Sequence, residues 1–191
     1  LFNRVTWGSG WHGLEALVNP ANLLLGLTVV FLARVLGLMY ISSTIDNDEI
    51  IVAVNRALLR NAIPFLVLFL AFTAFLLLGE GFRADNSTGE ITIVKYLYLH
   101  NLLSNVFTLI LFAGGVVLVL VSLWIGIMRR SRKAIWFAGP GTIAVVMALF
   151  FMAGYGNTAF YPSSSDLQSS LTLAKASSSM FTLKTMTFVS F

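Results

Sequence analysis

Few side chains in this sequence could do chemistry at membrane depth. There are two histidines, His12 and His100, and each falls at the edge of an apolar run. Haem iron needs axial ligands, most often His, held at depth between helices. A histidine at a headgroup edge reads first as a hydrogen-bonding surface residue. The eight acids are Glu15, Asp46, Asp48, Glu49, Glu80, Asp85, Glu90 and Asp166, and all lie in connections or at run ends. A proton relay needs carboxylates or imidazoles inside the membrane. These residues alone do not supply one, and Glu80, just past Leu78, comes nearest. Arg34 is the ionisable residue clearly inside a run, seven positions before Ile41. Such residues are costly and often functional. Its side chain either snorkels to the headgroups or meets an acidic partner from outside these 191 residues.

No cysteine is present, so thiolate metal sites and disulfides are excluded. There is no phosphate-binding glycine loop, no zinc spacing and no Ser-His-Asp set, and Ser177-Ser178-Ser179 reads as a turn. The residues themselves therefore supply no expected catalytic, cofactor-binding or metal-binding group. Arg34 stands as the one intramembrane candidate. Gly139-Pro140-Gly141, inside a later run, suits either a packing kink or the broken helix of a transporter ion site.

The elements that would position these groups are membrane spans. The chain is 58% hydrophobic and 10% charged, against about a quarter charged in soluble domains. Its mean hydropathy is +0.87. The net charge of +4 is concentrated in one short cluster, Arg129-Arg130-Ser131-Arg132-Lys133, and not in a stripe that would bind nucleic acid.

The pattern predicts an all-α polytopic membrane protein. Four spans form an antiparallel bundle, and a truncated further helix begins at the end. A lead-in with Trp7, Trp11 and His12 is expected to lie at the headgroups. Span one covers 19–41, with Asn19 as cap and Pro20 in the first turn. A polar turn and an amphipathic helix over 42–60 flow into span two, 62–78, with a bend expected at Pro64. Residues 79–89 read as a loop, and Asn86-Ser87-Thr88 is given no weight as a glycosylation signal. Span three covers 102–128, where Gly114, Gly115, Ser122 and Gly126 would allow close helix approach. Span four covers 134–155. A serine-rich segment, 156–185, follows outside the membrane. Both ends read as cut, giving a bundle with tail over 1–186 and the start of another span at 187–191.

Arg56 and Arg60 precede span two, and the Arg129–Lys133 cluster joins spans three and four. Alternation puts both groups on one side, and Lys and Arg mark the cytoplasmic side. The turn at 129–133 is then cytoplasmic, and 79–101 and 156–185 are periplasmic.

Certain motifs resemble a known family. Tyr161-Pro162-Ser163-Ser164-Ser165, Ser170-Leu171-Thr172, Ala176-Ser177-Ser178-Ser179 and Thr182-Leu183-Lys184-Thr185-Met186 resemble the end of subunit II of cytochrome bd quinol oxidase. Upstream, Leu17-Val18-Asn19-Pro20 with Leu23-Leu24 and Gly26 resembles the start of that family's fifth helix. The style also resembles the cyanide-insensitive branch. The resemblance covers essentially the whole chain, as the second half of the subunit. It implies a haem-free scaffold in a bacterial inner-membrane complex that oxidises quinol, reduces dioxygen to water and builds a proton gradient. It implies haem b and haem d in partner subunit I, which also carries the quinol site. In some members subunit II holds a structural quinone and lines a proton path with acids of its first half. None of those acids maps onto this chain, and Arg34 belongs to no motif of the family. A fragment of a secondary transporter is the alternative, and would need a second interrupted helix.

Overall fold

The computed structural model describes residues 19–85, 90–154, 158–161 and 171–172. Helix α1 spans Pro20–Thr44 and α2 spans Asp48–Leu78. Strands β1 (Glu80–Ala84) and β2 (Ile91–Lys95) form an antiparallel hairpin. A short helix, α3, covers Leu97–Ser104, and α4 covers Val106–Met128. A 3₁₀ turn at Arg132–Ala134 leads into α5, Ile135–Gly154. Strands β3 (Ala159–Tyr161) and β4 (Leu171–Thr172) pair antiparallel.

Among the described residues, four helices are long and apolar enough to cross a bilayer: α1, α2, α4, and the 3₁₀ turn continued as α5. At 1.5 Å rise per residue the 25 residues of α1 extend about 37 Å, enough for a hydrocarbon core of about 30 Å. No more than 28% of any span's most apolar window is buried inside the chain. Large side chains such as Leu70, Ile110, Met128, Trp136 and Phe150 point outward. A soluble bundle would hide these residues; lipid is the solvent that suits them.

The helices pair as two hairpins, α1 with α2 and α4 with α5. In α4, Thr108, Gly115 and Ser122 recur every seven residues and are all buried. In α5, Ala138, Gly141, Val145, Ala148 and Met152 alternate steps of three and four. These small seams let the backbones close on each other, where lipid gives no hydrophobic drive and packing must hold the pair. A β-carbon added to Gly115 would lie 2.8 Å from Val145 N and 2.9 Å from Gly141 O. The neighbouring Gly114 faces open space, so of the two adjacent glycines Gly115 marks the crossing. The hairpins meet at one end through a cluster that includes Val35, Met39, Leu58, Phe65, Leu123 and Ala138.

Helix ends follow their cap residues. Asn19 Oδ1 accepts from Ala21 N, Asn47 Oδ1 from Glu49 N and Ile50 N, and Asn105 Oδ1 from Phe107 N and Thr108 N. Each bond satisfies a first-turn N–H that has no helical partner.

Two expectations are corrected. Residues 79–89 are not simply a loop: β1 occupies 80–84 and pairs with β2, closed by a bond from Asp85 N to Glu90 O. The third span does not begin at Leu102, because Asn105 ends α3 and caps α4. Within the serine-rich segment, 159–161 and 171–172 are strands. Prolines 64 and 140 lie inside α2 and α5, which run on as helices past them. The lead-in with His12 and the end at 187–191 lie outside the described residues, as does most of the serine-rich segment.

Candidate functional site

Two turns that carry ionic groups, 45–47 and 129–134, meet at one end of the bundle. Asp46, between α1 and α2, accepts a hydrogen bond from the Arg132 guanidinium, which links the first turn to the third. Both side chains are well exposed, at 85% and 47%, so the pair contributes little stability. It does tie these two connections to the same end. Asp48 and Glu49 sit in the first turn of α2, where the helix dipole favours anions. The Arg129 guanidinium stacks over Trp124 at 4.5 Å from the ring centre. Tyr40 and Trp136 are exposed near the same end, forming part of an aromatic belt.

The opposite end carries a small cap. Hairpin β1–β2 lies against α3, with Gly81 so close to Leu97 that a β-carbon would meet it at 2.8 Å. Asn101 Nδ2 donates to Met152 O at 3.2 Å, and Arg83 bridges to Thr158, so α3 and β1 are fastened to the end of α5 and the strand beyond it. His100 is exposed in α3, and its backbone N–H donates to Tyr96 O. It lines a surface hollow of about 570 Å³ with Arg83, Lys95, Tyr96, Asn101 and Ser104. Burial of Tyr98 in α3 raises its phenol above the ordinary value of 10.0, because a phenolate there would lose its hydration.

Between the two hairpins lies an apolar cleft of about 250 Å³, lined from all four spanning helices. Thr28 and Thr142 are its polar residues, and each hydroxyl donates to its own helix, to Leu24 O at 2.7 Å and Ala138 O at 2.8 Å. No polar group is left to grip a ring or a charge, so the cleft suits a hydrocarbon chain.

Arg34 belongs to neither end. It lies two residues from the midpoint of α1 and is exposed on the helix face turned from the core. Among the described residues no acid reaches its depth. Asp46 is in the turn, Asp48 and Glu49 open α2, and Glu80, Asp85 and Glu90 lie in the cap. His100 does not approach it, His12, Glu15 and Asp166 are outside the described residues, and no group of three His, Cys, Asp or Glu among the described residues could hold a metal. Gly139-Pro140-Gly141 is part of continuous α5, with Gly141 packed on α4. The motif serves packing there and does not form a broken-helix site.

This arrangement meets the comparison with known families. The family model for "Cytochrome bd terminal oxidase subunit II" matches residues 2–191. The chain belongs to that subunit II family. It is thus a multi-pass membrane subunit of a respiratory terminal oxidase, and the resemblance read from its motifs agrees with the family match. Among curated proteins, none matches the chain. In this bd-oxidase subunit the Asp46–Arg132 link, the cap and the cleft carry no signal in the sequence. Each depends on residues far apart in the chain, and no local pattern announces them.

Proposed function

We propose that this chain is a haem-free bracing part of a quinol:dioxygen oxidoreductase that reduces oxygen to water and contributes to the proton gradient. The supporting observation is the family match across 2–191. The geometry is consistent with it: the described spans pack through small residues and apolar side chains, and their interiors carry no imidazole or carboxylate. On this reading haem b, haem d and the quinol-oxidising site belong to partner subunit I. Residues here hold the partner's helices in place and exclude water. A structural quinone would find in the cleft between the hairpins a lining for its isoprenoid tail, with its ring held elsewhere. The membrane is the bacterial inner membrane. The end bearing Arg129–Lys133 faces the cytoplasm, following the positive-inside rule, and the β1–β2 cap faces the periplasm.

The test is quinol-dependent oxygen uptake in membranes of a strain lacking the whole subunit, with and without the gene restored. Restoration should return uptake together with partner haem. Full uptake and full haem without the subunit would overturn the bracing role.

A further inference from the structure

The outward face of α1 carries Leu23, Leu27, Val30, Arg34, Gly37 and Ile41, spaced by threes and fours and all exposed. The buried seam of the same helix, through Thr28, Val35, Met39 and Ser42, points into the bundle. The guanidinium of Arg34 therefore starts from a helix surface that nothing among the described residues covers. Its α-carbon is about 3 Å along the axis from the middle of α1 and about 10 Å from Ile41, where span one ends, so it lies inside a core whose half-thickness is about 15 Å.

Three features decide what covers it. Depth is the first. Arg34 is seven residues from Ile41, about 10 Å of helix, and ten from Thr44, about 15 Å, and an arginine side chain covers only part of either distance. The Cα–Cβ bond also tilts toward the helix N-terminus, away from this nearer end. Lipid phosphates lie at the surface beyond Ile41, and the side chain would have to turn against this tilt to approach them. Charge is the second. A guanidinium at mid-depth needs an anion or strong acceptors there. The α1 face offers no acid, so a second copy laid on it would add cations and no partner. Shape is the third. Gly37, one turn from Arg34, has open space around its β-carbon position, and so does Gly26. Small residues beside a polar group let another helix approach closely enough to pair with it.

We infer that the Arg34 face of α1 docks a transmembrane helix from outside residues 1–191 that carries an Asp or Glu carboxylate at the same depth. The guanidinium and carboxylate form a paired, mutually desolvated contact, and Gly37 lets the two backbones close around it. The inference does not depend on which reaction the assembly catalyses.

The test uses the assembled membrane complex in two arms. In the first, a benzophenone amino acid replaces Val30, one turn from Arg34, and the photoproduct is sequenced. The expected product joins Val30 to a transmembrane helix with Asp or Glu within one turn of the crosslinked residue. Product on lipid alone, on a second copy of this chain, or on a helix without an acid there overturns the inference. In the second arm, Arg34→Leu and Arg34→Lys complexes are purified side by side. Arg34→Leu should retain at least tenfold less of the crosslinked polypeptide, or expose its carboxylate to a hydrophobic carbodiimide, while Arg34→Lys keeps most of both. Full retention with unchanged labelling in Arg34→Leu overturns the inference. If Arg34→Leu does not accumulate in membranes, the crosslink and the Arg34→Lys complex still decide.

Discussion

Replacing Gly115 by alanine should damage the α4–α5 pair, and the same change at Gly114 should not. The added carbon at 115 would sit 2.8 Å from a backbone nitrogen and 2.9 Å from a backbone oxygen of α5. Neither atom can rotate away, so the helices must separate by several tenths of an ångström along the seam through Thr108, Gly115 and Ser122. Overpacking of this kind costs about 1–3 kcal/mol. Alanine in a helix regains up to about 1 kcal/mol over glycine, which lowers the net loss at 115 and leaves a gain at 114. The predicted difference between the two variants is therefore about 1–3 kcal/mol, or roughly 5- to 150-fold in the folding equilibrium. Unfolding by increasing fractions of SDS in mixed micelles, followed by circular dichroism, measures both. Equal midpoints for Gly114→Ala and Gly115→Ala would refute the close crossing. A loss confined to Gly114→Ala would mean the helix is rotated from the described face.

Further outcomes follow from the ends of the helices. Asn105→Ala removes the acceptor for Phe107 N and Thr108 N and should cost about 1 kcal/mol in the same SDS assay, with Asn105→Asp close to wild type. A double-mutant cycle on Asp46 and Arg132 should give a coupling below about 1 kcal/mol, because both side chains are exposed. A larger coupling would show the turn to be shielded in the assembly. Tyr98 should form phenolate above 10.0, detected as tyrosinate absorbance missing from Tyr98→Phe. The folded state holds this phenol neutral, so its contribution to stability is present below the unfolded value of 10.0 and is lost as pH rises through the raised folded value.

The spanning helices were legible in the sequence because length and apolarity are local properties. Asn19 and Pro20 announced the start of α1, and the acids at 48 and 49 fitted the start of α2. The β1–β2 hairpin was not legible: β1 carries Gly81 and two charged residues, Glu80 and Arg83, and its identity comes from pairing with 91–95. Asn105 was hidden beside Ser104 at the front of an apolar run, where a polar pair reads as tolerated and not as a helix break and cap. The candidate site was legible only in part. Arg34 stood out by charge and depth, but its outward direction depends on which face of α1 packs on α2. Of the small residues expected to bring helices together, Gly115, Ser122 and Gly126 are buried and Gly114 is not, a distinction of helix phase that composition does not contain.

In the proposed function this subunit supports redox chemistry without holding the iron. The most direct measurement is the reduced-minus-oxidised visible spectrum of the complex and of the complete subunit purified away from its partner. Haem bands should appear in the complex, all of them following the partner on separation and none remaining with this subunit. A stoichiometric haem signal retained by the isolated subunit, and lost on replacing His12 or His100, would contradict it.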